Sequence, residues 1–290
     1  MPADMTALAA DLAAESAVTR ALVAGLDEAG WNLPTPAAGW DIGDQISHLA
    51  YFDEVTVQSA TDPDVFQASL AQANAEGGIN PDTIAARFRD LTGAQLLDWF
   101  DTARAELLNT FKNLDPRARL PWFGPAMSAA SSLTARIMET WAHTQDIADA
   151  LGVTREPTGR LRHVAHIGVG ARAFSYAVHG QALPDTQVRV ELTGPDGVPW
   201  TWGPPDATDR VSGPALDFCL LVTQRRHRDD VTLVIEGPAA VEWMTIAQAF
   251  AGAAGTGRPP GAATPPGAAT PPAATEPPAG AGQAPAEARS

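Results

Sequence analysis

The sequence predicts an α+β protein with an N-terminal four-helix bundle, a small α+β domain and a disordered tail. First, apolar residues recur at helical spacing in four long segments before residue 152. Second, Val188, Val190 and Leu192 alternate with polar residues ahead of a Gly-Pro-Asp-Gly turn, which is typical of a β-hairpin. Third, no large apolar side chain follows residue 253. The predicted domains are residues 1–152, 153–253 and 254–290.

Each helix of the bundle is predicted by a local signal. Asp4 is a suitable N-cap for a first helix over residues 5–28. Asp41 is a suitable cap for a second helix, and Thr92 with Gln95 matches a capping box that opens the third. The apolar stripe of the fourth helix consists of Leu133, Ile137, Trp141, Ile147 and Leu151. Because the connections are short or medium in length, a four-helix bundle is the expected arrangement.

The second domain is predicted to mix helices with strands. Its expected elements are a helix over 159–179, a hairpin over 187–202, a helix over 213–224, a strand over 231–235 and a helix over 238–252. Pro199 predicts that the second hairpin strand lies at a sheet edge. The tail repeats Pro-Pro-Gly-Ala-Ala-Thr and has too little apolar surface to offset its ordering entropy, so we expect it to be disordered.

Charge and hydropathy exclude several classes of function. The formal net charge of -15 argues against nucleic-acid binding and against an anionic membrane surface, because both attract clustered Lys and Arg. No apolar run approaches the ~20 residues of a membrane-spanning helix. Acidic residues at positions 4, 11 and 15 interrupt any signal-peptide core, so we expect a cytoplasmic protein.

The cysteine count limits the possible metal chemistry. Cys219 is the only cysteine, which excludes an internal disulfide and any thiolate-cluster site. It lies in the apolar run Phe-Cys-Leu-Leu-Val, so we interpret it as a buried structural thiol. A metal ion would therefore need histidine and carboxylate ligands.

A candidate pair of such ligands lies on the fourth helix. Glu139 and His143 are four residues apart, so their side chains share one helix face. The same spacing is common on helix surfaces that bind nothing. His48, on the border of the second helix's apolar stripe, is a candidate third ligand. Asp146, three residues beyond His143, is expected either to hydrogen-bond the distal nitrogen of that ring or to be an ordinary helix-surface acid.

These motifs resemble those of the DinB-like superfamily. The similarity rests on Gly-Trp-Asp at 39–41 followed by His48, and on Met-Glu-Thr-Trp-Ala-His at 138–143. Within this superfamily, the sequence most resembles the mycothiol-dependent maleylpyruvate isomerase group. It looks like an uncharacterised actinobacterial, metal-binding branch of that group. The resemblance implies that His48, Glu139 and His143 bind a divalent metal, usually zinc. It also implies an active-site arginine, which we assign to Arg225 rather than its neighbour Arg226, and mycothiol as the thiol cofactor.

The leading functional hypothesis is a metal-dependent, mycothiol-linked isomerase or S-transferase that acts on a small molecule. Two His and one Glu leave a coordination position open, as in catalytic zinc sites. Two alternatives use the same ligands. One is a metal-containing protein that binds a small molecule without turning it over, and the other is a metal-dependent hydrolase with water as the nucleophile.

Overall fold

The computed structural model describes residues 3–261. Of the predicted disordered tail, residues 254–261 belong to the described structure, where Arg258 pairs with Asp146 and Asp149. The rest of that tail, from position 262 onward, lies outside the described residues. Within residues 3–261, no helix combines the length and apolar character that crossing a membrane requires. The predicted α+β class is confirmed, since seven helices precede a second region that contains a four-stranded sheet.

The helices of the first region are α1 (Met5–Val23), α2 (Glu28–Trp31), α3 (Ile42–Thr61), α4 (Pro63–Ala75), α5 (Pro81–Ala86), α6 (Gly93–Phe111) and α7 (Ala129–Leu151). The four long ones, α1, α3, α6 and α7, form the bundle, in which α3 packs on α6 and α7, and α1 packs on α7. Strands β1 (Arg119–Leu120) and β2 (Met127–Ser128) form a small hairpin before α7.

Helix ends follow the local signals in most places. All three predicted caps open their helices, Asp4 as a simple N-cap, and Asp41 and Thr92 in capping boxes with Asp44 and Gln95. The predicted first helix is too long, because it ends at Val23 and a separate short helix, α2, follows. The Asp27 side chain accepts a hydrogen bond from the Gly30 amide, which starts this new helical turn instead of continuing α1.

The second region contains α8 (Leu161–Gly170), α9 (Arg172–Val178), β3 (Val188–Thr193), β4 (Pro199–Trp202), β5 (Asp209–Pro214), α10 (Ala215–Val222), β6 (Val234–Glu236) and α11 (Pro238–Ile246). The strand order is β4-β3-β5-β6, with β3 and β5 parallel and the other pairs antiparallel. The edge position of β4 agrees with the prediction from Pro199. The predicted helix over 159–179 is divided into α8 and α9 at Ala171.

Strand β5 is absent from the predictions because its sequence lacks a strand pattern. Of its six residues, Val211 alone is a large apolar residue, and it is fully buried. The carboxylate of Asp209 in the same strand accepts hydrogen bonds from the Ala239 and Ala240 amides at the start of α11. Tertiary pairing, rather than alternating hydrophobicity, therefore determines this strand.

Helix α7 is the element shared by the two regions. Leu133 and Ile137 are buried in the bundle core, whereas Met138 and Trp141 are buried in the core of the second region. The predicted single apolar stripe is wrong for Trp141, because the helix is covered on a second side. A helix covered on two sides positions its side chains rigidly, which suits a functional site.

A buried ion triad lies at the centre of the bundle. Asp53 of α3 is fully buried and accepts hydrogen bonds from Arg104 of α6 at 2.5 Å and from Arg136 of α7 at 2.9 Å. Arg104 also donates to the hydroxyls of Ser16 in α1 and Thr140 in α7. One network therefore joins all four long helices.

Replacing Asp53 should be strongly destabilising. The Asp53→Asn variant leaves Arg104 and Arg136 buried without an anionic partner, so we expect a loss of about 3–5 kcal/mol in the free energy of unfolding, measured in urea. Asp101→Asn is the matched control, since Asp101 forms an exposed pair with Arg20 and its loss should change stability by less than ~1 kcal/mol. Equal, small effects of the two substitutions would contradict a structural role for the triad.

Candidate metal centre

The three predicted ligands meet between α3 and α7. His48 lies on α3, while Glu139 and His143 lie on one face of α7. One Oε atom of Glu139 is 3.3 Å from Nε2 of His143 and 3.8 Å from Nε2 of His48. A ligand atom from each of the three residues lies within 4.8 Å of the others. The side chains are 11%, 21% and 11% exposed for His48, Glu139 and His143, so the group is largely shielded but open to solvent on the Glu139 side.

These distances fit a shared cation better than direct hydrogen bonds. Good N–H···O hydrogen bonds span about 2.7–3.2 Å, and both His–Glu separations are longer. Ligands at ~2.0–2.1 Å from a tetrahedral zinc ion lie roughly 3.4 Å apart. Two imidazole nitrogens and one carboxylate oxygen are also a donor set that zinc accepts.

The protonation states of the group suit a metal. Burial, together with the nearby ring of His143, lowers the pKa of His48 to about 4, so His48 is neutral at pH 7. Burial alone would raise the pKa of Glu139. Interactions with His143 and His48 outweigh burial and hold the pKa of Glu139 well below its usual value. A neutral imidazole and an ionised carboxylate are the forms that bind metals.

The outer hydrogen-bond partner of His143 is Gln45 and not Asp146. Both expectations for Asp146 are therefore wrong, since it does not bond His143 and, at 1% exposure, it is not a helix-surface acid. The Nδ1 atom of His143 lies 2.5 Å from Oε1 of Gln45. Asp146 instead accepts hydrogen bonds from the guanidinium groups of Arg225 and Arg258, and such charge-assisted hydrogen bonds are strong partners for a buried carboxylate.

Arg225 is connected to this site by its ion pair with Asp146, which follows His143 on α7. Its Nη2 atom donates to Asp146 at 2.8 Å and its Nη1 atom donates to the backbone carbonyl of Thr223. Asp146 follows His143 by three residues, so this ion pair lies about 4.5 Å farther along the axis of α7. Arg226 pairs with Asp149, nearly another turn away. Of the two arginines considered from the sequence, Arg225 therefore pairs with the part of α7 closer to the metal ligands.

Aromatic rings surround the two histidines. The ring of His48 contacts Trp40 and Phe52, with centroid distances of 5.2 and 4.6 Å, and Trp40 also stacks on His143. Phe123, in the loop between β1 and β2, packs edge-on against Phe52. Its contact with Phe52 joins it to the ring that packs on His48.

Cys219 is remote from this chemistry. Its side chain is fully buried in the core of the second region, and its Sγ atom donates to the Leu161 carbonyl at 3.4 Å. Burial raises the pKa of this thiol far above its usual value, which makes it unreactive at neutral pH. Any thiol that reacts at this protein must therefore come from another molecule.

Comparison with known proteins identifies the family. The family model described as mycothiol maleylpyruvate isomerase N-terminal domain matches residues 12–148, which include all three candidate ligands. The chain belongs to the mycothiol-dependent maleylpyruvate isomerase-like group of the DinB-like superfamily. Two proteins similar to this chain are uncharacterised proteins from Mycobacterium tuberculosis strains CDC 1551 / Oshkosh and ATCC 25618 / H37Rv. Each is 45% identical over 256 residues, which are 88% of this chain and the full length of the relative.

The solved structures show the fold of this isomerase-like group. The crystal structures of the mycothiol-dependent maleylpyruvate isomerase and of one of its mutants match with a TM-score of 0.54, at 17% and 16% identity. The match covers 81% of this chain and 96% of the isomerase chain. A second family model, described as wyosine base formation, matches residues 184–235, the part that contains all four strands of the larger sheet except the last residue of β6.

Proposed function

We propose that the protein is a metal-dependent enzyme that uses mycothiol in an isomerisation or S-transfer reaction on a small molecule. The observation that supports this most strongly is the convergence of ligand atoms from His48, Glu139 and His143, with His48 neutral and Glu139 ionised. Zinc is the proposed ion because its preferred donors are those present. Membership of the isomerase-like group supports the link to mycothiol.

The three side chains would hold the ion and leave one position open for a fourth ligand. When bound, the ion supplies a Lewis acid that keeps a thiol in its reactive thiolate form. The chain offers no reactive thiol of its own, since Cys219 is buried elsewhere. Mycothiol fits this need, because the enzyme whose fold this chain shares is named as mycothiol-dependent.

Arg225 is the proposed residue for binding an anionic group of the substrate. Its ion-pair partner Asp146 is shared with Arg258, so this one carboxylate does not neutralise both guanidinium groups. A guanidinium group can hold the carboxylate of a ligand with two parallel hydrogen bonds.

The aromatic rings are the proposed apolar side of the same site. Trp40 and Phe52 cover His48, and Phe123 extends this surface to the half-buried loop between β1 and β2. Rings in this position exclude water from the ligands, which strengthens electrostatic interactions there. The proposed substrate is therefore small and anionic, with an apolar part.

Thiol binding distinguishes this proposal from the hydrolase alternative. With cobalt(II) in place of zinc, addition of mycothiol should produce a saturable sulfur-to-metal charge-transfer band in the near-ultraviolet spectrum, because thiolate is a good ligand for such ions. The His143→Ala variant should lack the band, whereas the control His163→Ala should keep it, since His163 pairs with Asp11 outside the site.

Cobalt bound without any thiol band would contradict the mycothiol-linked function and favour the hydrolase. A thiol band without turnover of any small anionic substrate would favour the binding protein.

The assignment of Arg225 can be tested with maleylpyruvate, the substrate in the name of the solved isomerase, and mycothiol. Arg225→Ala should raise the KM for the substrate at least about tenfold, because a charge-assisted hydrogen bond contributes roughly 1.5–3 kcal/mol. Arg226→Ala, the matched control one residue away, should change KM less. A larger effect of Arg226→Ala, or equal effects of the two substitutions, would contradict the choice of Arg225.

A further inference from the structure

Gln45 contacts the candidate metal site through Nδ1 of His143, the ring nitrogen that does not face Glu139. It lies on α3, one turn before His48, and its side chain is fully buried. Its Oε1 atom lies 2.5 Å from Nδ1 of His143, and its Nε2 atom donates to the hydroxyl of Thr35 at 2.9 Å. The amide therefore connects the metal-ligand ring to the segment before α3.

The direction of this hydrogen-bond chain is determined by its far end. The hydroxyl of Thr35 donates to the backbone carbonyl of Trp40 at 2.9 Å, and a carbonyl oxygen can only accept. A hydroxyl has one hydrogen, so Thr35 can only accept from Gln45. The NH2 group of Gln45 must then face Thr35, and its oxygen must face His143. Consequently, Nδ1 of a neutral His143 carries the ring proton and Nε2 carries the lone pair.

His48 has no such support. Its Nδ1 atom is buried and lacks a hydrogen-bond partner within residues 3–261. The rings packed against it are those of Trp40, Phe52 and His143, and none of them forms a hydrogen bond with this Nδ1 atom. Binding a metal through Nε2 of His48 places the ring proton on Nδ1, where nothing among these residues accepts it. The two histidines are therefore unequal as ligands.

We infer that Gln45, oriented by Thr35, is a positioning residue that holds His143 in the metal-binding tautomer. His143 is the anchoring ligand and His48 the exchangeable one. This inference rests on the proposed metal function, since it assigns unequal roles to the same ligands. It also makes a claim about the metal-free protein, namely that His143 is already in the Nδ1-protonated tautomer before any ion binds.

The first test is the tautomer of His143 in the metal-free protein, measured by long-range proton–nitrogen NMR correlations of 15N-labelled histidine rings. The wild-type protein should show protonated Nδ1 and unprotonated Nε2 for His143. Gln45→Met, which has similar size but no acceptor, should lose this preference. Gln45→Glu keeps an acceptor and should retain it. Gln58→Met on the same helix is the matched control, because Gln58 makes no side-chain hydrogen bond in the described structure.

The second test is zinc affinity, measured by competition with a chromophoric chelator. Gln45→Met should bind zinc about 10–100-fold more weakly, as is typical when the outer partner of a ligating histidine is removed. Gln45→Glu and Gln58→Met should stay within about threefold of the wild type, on the same reasoning. Thr35→Val, at a half-buried position, removes the orienting hydroxyl and should give an intermediate loss even if Gln45→Met fails to fold.

Two results would overturn the inference alone. One is a wild-type His143 ring with its proton on Nε2, and the other is unchanged tautomer and affinity in Gln45→Met. Absence of zinc binding by the wild type would instead overturn the proposed metal function. The tautomer measurement would then decide the role of Gln45 without reference to a metal.

Discussion

The candidate site depends on the register between α3 and α7, and a buried ion pair holds that register. Asp53 and Arg136 join the two antiparallel helices at 2.9 Å, one to two turns from the metal ligands. His48 precedes Asp53 on α3, and Glu139 follows Arg136 on α7. The Nε2 atom of His48 therefore lies close to the Glu139 carboxylate, at 3.8 Å. A slip of one residue would separate these ligands. Because an unpaired buried charge is very costly, the ion pair strongly disfavours such slips.

The same helix α7 connects the candidate metal ligands to the arginine proposed to bind substrate. Its middle carries Glu139 and His143, and its C-terminal part carries Asp146 and Asp149, which bind arginines from the second region. The second region therefore contacts the bundle next to the ligands. This arrangement explains why Arg225, far away in sequence, can be proposed to act with side chains of the bundle.

Features that depend on residues close together in the chain could be predicted from the sequence, whereas contacts between distant residues could not. The i, i+4 spacing of Glu139 and His143, the N-cap Asp41 and the capping box at Thr92 depend only on neighbours in the chain, and the structure has them. Gln45 gave no signal as the partner of His143, because their contact joins residues on separate helices. Asp146 was misassigned for the same reason, since its arginine partners follow it by 79 and 112 residues. The position of His48 on the border of an apolar stripe made it a candidate ligand, and the resemblance of the motifs then implied its role.

The most direct measurement is the metal content of full-length protein purified without added metal and without a histidine tag. Elemental analysis should find about one equivalent of zinc in the wild type and in Glu106→Ala, whose glutamate is exposed on α6. Glu139→Ala should contain almost none while remaining folded. The account would be contradicted by a wild-type protein that contains no divalent metal, or by a Glu139→Ala protein that keeps its full equivalent.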